Sequence, residues 1–155
     1  MKTVKQPIDS NHCVIACLAM VADLSFEHSL AEIMEISKSI RTERNKSAIV
    51  TLELLNTFLA RHGWTLGFSA NFQPLLQLSE VDSETQLSVE FRLDDCDALL
   101  TVGQSESDLR HLVCWDSSVR KVRDPHWNAP NTNGLHEVKI SQWYPLIPTS
   151  QTGWL

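Results

Sequence analysis

The first 67 residues of the chain contain three stretches whose apolar positions predict helices. From His12 onward ten successive positions are almost wholly apolar, and a helix that is apolar on all sides is expected to be buried on all sides. Asn11 is a residue type that commonly caps a helix N-terminus, so we expect it to cap this central helix. Helical spacing predicts two further helices over about 26–37 and 47–62, the latter ended by Gly63. The apolar face predicted for the second helix consists of Leu30, Ile33, Met34 and Ser37.

Beyond residue 86 the hydrophobic pattern changes from helical to alternating. Apolar and polar residues alternate from Leu87 to Leu93, which predicts a strand with one buried face. Other short apolar segments are separated by polar residues that are typical of turns. They predict strands at 98–103, 111–116, 119–124 and 137–140.

Helices followed by antiparallel strands indicate an α+β fold. The 155 residues fit one domain, 1–155, that is large enough to bury a core. We expect a helical half over about 1–67, with its central buried helix packed on an antiparallel β half over about 86–155.

Composition narrows the possible partners and the expected location. With 43% hydrophobic and 21% charged residues the chain is an ordinary globular sequence, and its net charge of −6 argues against nucleic acid as the main partner. The N-terminus lacks the apolar segment of a secretory signal, and no apolar run approaches the roughly 18 residues needed to cross a membrane. We therefore expect a cytoplasmic protein without a membrane partner, whose four cysteines are thiols rather than disulfides. Delivery by a route that uses no signal sequence is compatible with this pattern.

A histidine and an aspartate share one face of the predicted hairpin. If the hairpin turns at Ser117-Ser118, then His111 lies directly opposite Asp124, with Cβ atoms roughly 4.5–5.5 Å apart. A carboxylate at that distance accepts a hydrogen bond from an imidazole, although such a pair is also found without any catalytic role. The same face is apolar elsewhere and is expected to pack on the helical half through Val113, Trp115 and Val122.

Cys13 lies in the first turn of the predicted central helix. Unpaired N–H groups and a partial positive charge at a helix N-terminus lower the pKa of a thiol and make it nucleophilic. Cys17, one turn further along, is surrounded by apolar residues and is expected to be an unreactive core thiol. The structural alternative for Cys13 is a small buried apolar side chain. Together with His111 and Asp124, Cys13 supplies the nucleophile, base and orienting carboxylate of a thiol triad.

Metal binding is a competing chemistry for these cysteines. Cys13 and Cys17 are spaced one helical turn apart, with His12 adjacent, but the sequence has no CxxC pair and Cys17 lies in an apolar run. We expect no metal site and no cofactor.

Two segments resemble a known family. The segment from Gln6 to Met20, with its cysteine opening an alanine- and leucine-rich helix, resembles the start of bacteriocin-leader-processing peptidases, which belong to the papain-like cysteine peptidase superfamily. The segment from His111 to Pro125 is similar to the histidine strand, hairpin and Asp-Pro of those enzymes. The run that begins Asp124-Pro125-His126-Trp127 also resembles a group of little-characterised phage and bacterial proteins.

The resemblance implies a papain-like fold and a catalytic triad of Cys13, His111 and Asp124. It also implies that Gln6 donates from its side chain to the oxyanion hole. The chain departs from the peptidase motif at three points: His12 replaces an acidic residue, Val14 replaces a glycine, and seven positions rather than about six separate Gln6 from Cys13.

Three further residues are candidates for the rim of the pocket. His126 follows a proline in a predicted turn, and it is a second candidate base as well as a rim residue. Trp127 and His12 are the other candidates, and for the tryptophan aromatic packing is the structural alternative.

The sequence thus predicts a thiol hydrolase that acts on amide or peptide bonds of a peptide or protein substrate. Two alternatives stay open. The same triad can deamidate or transglutaminate a glutamine of a partner protein, as an effector does. Alternatively, the papain-like fold is a catalytically silent binding module, which Val14 and the altered spacing of Gln6 favour.

Overall fold

The computed structural model describes residues 1–10, 12–40, 52–67, 96–102, 111–138 and 140–150. Within these ranges the chain forms three α-helices and one five-stranded antiparallel sheet, which confirms the predicted α+β class. The helices are α1 (Cys13–Ala22), α2 (Phe26–Ile40) and α3 (Leu52–Arg61). The strands are β1 (Trp64–Leu66), β2 (Ala98–Val102), β3 (His111–Asp116), β4 (Lys121–Arg123) and β5 (Ile140–Pro148). The strand predicted at 87–93 lies outside the described residues.

Helix α1 is the buried central helix that the apolar run predicts. All residues from Ile15 to Val21 are buried, because α2 and α3 cover one side of the helix and β3 covers another. The helix begins at Cys13 with His12 at the cap position, and the predicted cap, Asn11, lies outside the described residues. His12 accepts a backbone hydrogen bond from Ala16 but caps no N–H with its side chain. Cys13 is therefore the first helical residue.

Helix α2 is longer than predicted and turns a different face to the core. Its buried residues are spaced three or four positions apart, as packing against α1 requires: Phe26, Ser29, Ile33 and Ile36. The prediction that Met34 belongs to this face is wrong, because Met34 is 54% exposed. In α3 the buried residues Leu54, Phe58 and Leu59 are spaced as one helical face.

The sheet has the order β1-β5-β2-β3-β4, and every neighbouring pair is antiparallel. Strand β1 lies within the part of the chain predicted to be helical. Gly63 has a φ of +80° and ends the preceding helix, so the chain reverses and Trp64–Leu66 pairs with β5. A three-residue strand is too short for its alternation to be recognised in the sequence.

The sheet is buried on both faces. Leu99, Leu112 and Cys114 pack in the core that contains the helices. The opposite face forms a second core with Leu135 and Ile140, to which Val113, Trp115 and Val122 contribute. The prediction that this second face packs on the helical half is wrong, because the segment after β4 folds back over it and Asn133 bridges to Val122.

Among the described residues, no single helix has both the length and the apolar character needed to cross a membrane. Helices α1 and α2 reach that length when taken together, but the chain bends by 106° between them.

Replacement of Val113 by alanine tests the second core. Val113 is fully buried, so Val113→Ala should lower the free energy of unfolding by about 2–3 kcal/mol, measured by urea denaturation. The matched control is Val119→Ala in the hairpin turn, where Val119 is 49% exposed and the loss should stay below about 0.5 kcal/mol. Equal losses in both variants would contradict the second core.

Candidate active site

Helix α1 docks on β3 through sulfur contacts that centre on Leu112. Cys17 Sγ donates to the Leu112 carbonyl at 3.3 Å, and the backbone of Leu112 is close enough to the Cys13 thiol to lower its pKa. Cys114 Sγ in turn donates to the Cys17 carbonyl at 3.6 Å. The peptide between His111 and Leu112 therefore contacts the first helical residue directly, and the imidazole at the strand end reaches the thiol.

The β3–β4 hairpin has a different register from the predicted one. Asp116 pairs with Lys121, so the loop contains four residues, 117–120, and Arg120 has a φ of +53°. The predicted pairing of 116 with 119, which places His111 directly opposite Asp124, is wrong by two residues. Asp97 Oδ1 explains the wider loop, because it accepts hydrogen bonds from both the N–H and the hydroxyl of Ser117.

A shift of two residues leaves every side chain on its original face. His111 and Asp124 consequently share a face, as predicted, but they meet across a diagonal of the ladder. His111 Nε2 donates to Asp124 Oδ1 at 2.5 Å. A second diagonal pair lies nearer the turn, where Arg123 Nε donates to Asp116 Oδ2 at 2.7 Å.

Asp124 is held as a carboxylate. Its Oδ1 accepts a second hydrogen bond from the backbone N–H of His126 at 2.8 Å. Burial raises the pKa of Asp124, but the hydrogen bonds from His111 and His126 outweigh burial and hold the pKa below its usual 3.8. The carboxylate is therefore ionised at neutral pH and orients the imidazole.

The pKa values of Cys13 and His111 move in opposite directions. Burial lowers the pKa of His111, but hydrogen bonds to Asp124 and Cys13 raise it to about 9. Burial raises the pKa of Cys13, yet hydrogen bonds from His111 and Leu112 bring it below its usual 9.0. Since Asp124 occupies Nε2 of the ring, Nδ1 is the nitrogen available to the thiol. These shifts favour a thiolate–imidazolium pair.

Cys17 differs from Cys13 although both lie on α1. It is fully buried, and burial together with the neighbouring Cys114 thiol raises its pKa well above 9.0. Cys17 is thus a protonated core thiol, which agrees with the expectation from its apolar surroundings. None of the four cysteines, all of which the structure describes, is in a disulfide.

Gln6 is buried beside the aspartate loop rather than on the surface. Its backbone N–H donates to the Pro125 carbonyl at 2.8 Å, and its Nε2 donates to the Ser10 carbonyl at 2.5 Å. Its Oε1 is buried and has no hydrogen-bond partner among the described residues. Between Gln6 and Cys13 the chain makes a tight turn, in which Asp9 has a φ of +57° and the Ser10 N–H donates to the Pro7 carbonyl. Both Gln6 and Cys13 are described, and no hydrogen bond joins them.

The predicted rim residues lie on two elements: His126 and Trp127 follow β4, and His12 precedes α1. His126 packs edge-on to the His111 ring, with centroids 6.1 Å apart, and stacks on Trp127 at 5.1 Å. Trp127 is 40% exposed. His126 Nδ1 accepts a hydrogen bond from the Asn128 N–H at 3.1 Å, which supports a rim role rather than that of the base. On the helical side the exposed His12 stacks on Phe26.

Lys5 is a site residue that sequence analysis missed. Its Nζ donates to backbone carbonyls of the loop that contains Asp124 and His126. No local pattern marks a single lysine as the partner of a loop 119 residues away. Its position directly before Gln6 is the one available signal.

Selective alkylation tests the difference between the thiols. In folded protein, iodoacetamide should modify Cys13 at pH values well below 9, whereas Cys17 and Cys114 should stay unmodified because they are buried. Peptide mass spectrometry assigns the modified residues, and protein unfolded in urea provides the control in which every cysteine reacts. A Cys13 rate that follows an ordinary thiol titration would contradict the ion pair.

Among the described residues, no group of three or more histidine, cysteine or acidic side chains is placed to hold a metal ion. Comparisons of this chain with protein-family models, with curated proteins and with solved structures found no match.

Proposed function

We propose that this protein is a papain-like cysteine hydrolase that cleaves amide or peptide bonds. The observation that supports it is the placement of His111 between Cys13 and Asp124: His111 Nε2 donates to Asp124 Oδ1 at 2.5 Å, and hydrogen bonding with His111 lowers the pKa of Cys13. The thiol begins a helix, the base begins a strand, and the carboxylate follows the next strand. A buried helix packed on an antiparallel sheet is also the arrangement expected of a papain-like fold.

In this mechanism the Cys13 thiolate attacks the carbonyl carbon and a tetrahedral oxyanion forms. Collapse of that intermediate breaks the C–N bond, and the His111 imidazolium gives its proton to the departing amine. A water molecule then attacks the thioester while neutral His111 accepts its proton. The products are a carboxylic acid and an amine, and Cys13 is regenerated. Asp124 stabilises each imidazolium state.

The oxyanion requires hydrogen-bond donors near the start of α1. The first N–H groups of a helix have no partner within the helix, so the N–H of Cys13 is one candidate donor. Gln6 Nε2 is the other, since its bond to Ser10 uses one of its two hydrogens and leaves the second. A single donor of this kind contributes about 3 kcal/mol to stabilisation of the transition state.

An activity-based probe tests the enzyme directly. A peptidyl or small electrophile that modifies active-site thiols should label wild-type protein, and Cys13→Ala should abolish labelling. Cys96→Ala is the matched control, because this partly buried cysteine precedes β2 and is not one of the triad residues. Equal labelling of wild type and Cys13→Ala would refute the proposal, and a silent binding module would show no labelling at all.

Mass spectrometry of candidate substrate proteins identifies the reaction. Hydrolysis of a backbone amide yields two fragments, whereas deamidation of glutamine leaves the chain intact and adds about one dalton. We expect wild-type protein to cleave the substrate into fragments and Cys13→Ala to leave it uncleaved. An intact substrate with the one-dalton shift would replace peptide hydrolysis by deamidation.

Two histidine variants decide which imidazole is the base. His111→Ala should lower kcat/KM at least about 10²-fold, because it removes the proton acceptor and donor. His126→Ala should lower it by less than about tenfold, because the His126 N–H that binds Asp124 belongs to the backbone and is retained. The reverse order would make His126 the base.

A further inference from the structure

The ammonium group of Lys5 is surrounded by the loop that follows β4. Four backbone carbonyls of this loop lie within hydrogen-bonding distance of Nζ and share its three hydrogens, at 2.9, 3.1, 2.7 and 3.2 Å: those of Asp124, His126, Ala129 and Pro130. Carbonyl oxygens carry partial negative charge and repel one another when they converge. A cation at their centre removes that repulsion, so the curvature of the loop depends on the charge of Lys5.

The same loop carries the carboxylate of the site. Asp124 supplies one of the four carbonyls through its backbone and binds His111 through its side chain. His126 supplies another carbonyl, and its N–H fixes Asp124 Oδ1. Adjacent to Lys5, the N–H of Gln6 donates to the Pro125 carbonyl. Lys5 and Gln6 therefore hold the backbone of residues 124–126 and, with it, the Asp124 carboxylate.

Electrostatics act in the same direction. The charge of Lys5 is one of the influences that lower the pKa of Asp124, after the hydrogen bonds from His111 and His126. Burial lowers the pKa of Lys5, and the charge of Asp124 opposes that effect. The two groups thus stabilise each other's ionised forms without direct contact between their side chains.

We propose that Lys5 is a positioning residue of the site, whose ammonium group folds the 124–130 loop so that Asp124 can orient His111. The inference rests on the proposed Cys13–His111–Asp124 mechanism. It assigns to Lys5 no contact with substrate; the lysine acts through the loop and the carboxylate.

The test measures the thiolate of Cys13 as a function of pH through its alkylation rate. Lys5→Met has a side chain of similar length without charge. It should raise the pH midpoint of Cys13 alkylation and lower the alkylation rate at pH 6 by a factor of about 10–100, because misplacement of a catalytic group by about 1 Å has effects of that size. Lys2→Met is the matched control, because Lys2 is exposed in the same segment, and it should leave the profile unchanged. Circular dichroism confirms that each variant is folded.

Chemical rescue separates positioning from packing. Lys5→Ala removes Cγ, Cδ, Cε and the ammonium nitrogen, and n-propylammonium supplies the same three carbons and ammonium group within the four carbonyls. Added n-propylammonium should restore the low-pH alkylation of Lys5→Ala at least tenfold, whereas propanol and tetramethylammonium at equal concentration should not. This second variant decides the question if Lys5→Met does not fold.

The outcomes distinguish the two proposals. An ordinary thiol titration in wild-type protein would overturn the proposed function itself. If wild-type protein shows the lowered midpoint and folded Lys5→Met shows the same midpoint, the role of Lys5 alone is overturned. This holds even when the variant has a lowered melting temperature. Failure of n-propylammonium to restore folded Lys5→Ala would overturn it as well.

Discussion

The peptide group between His111 and Leu112 is the point on which the candidate site depends. Its N–H lowers the pKa of the Cys13 thiol by hydrogen bonding, and the Leu112 carbonyl accepts from Cys17 one helical turn away at 3.3 Å. Both contacts hold the same edge of α1 against the start of β3. Because a helix packed only by apolar side chains can slide by a fraction of a turn, these directional contacts fix where its N-terminus lies. The thiol is thereby brought to the start of β3, which carries the imidazole.

Periodicity in the sequence establishes which side chains share a face, but it does not establish what covers that face. The alternation in β3 correctly separates His111 and Val113 from Leu112 and Cys114. The alternation carries no information about which part of the chain packs on each face of the strand. In this protein both faces of β3 are apolar, and both are covered. Hairpin register has the same limit, because the four-residue loop depends on Asp97, which lies 20 positions away from Ser117. The His111–Asp124 contact was nevertheless predictable, since an even shift in register preserves the face.

The position of Cys13 at the start of the buried helix was predictable for a different reason. A wholly apolar run identifies a buried helix, and a cysteine at its first turn has a limited set of physical roles. The residues that could not be predicted are those whose partners are distant backbone atoms. Lys5 binds carbonyls and Gln6 pairs with Pro125, and backbone groups are present at every position, so they leave no pattern in the sequence. The burial of Gln6 was likewise beyond the reach of local propensity.

The charged groups of the site form an alternating series: the Lys5 ammonium, the Asp124 carboxylate, the His111 imidazolium and the Cys13 thiolate. Each of these charges would be costly in a partly buried position if it stood alone. In series, each is stabilised by a neighbour of opposite sign, and loss of one member destabilises the ionised form of the next. The lowered pKa of Cys13 is therefore a property of the whole series. A helix N-terminus makes thiolate formation easier, but the pKa of Cys13 falls despite burial because the imidazolium beside it is itself held in place and charged.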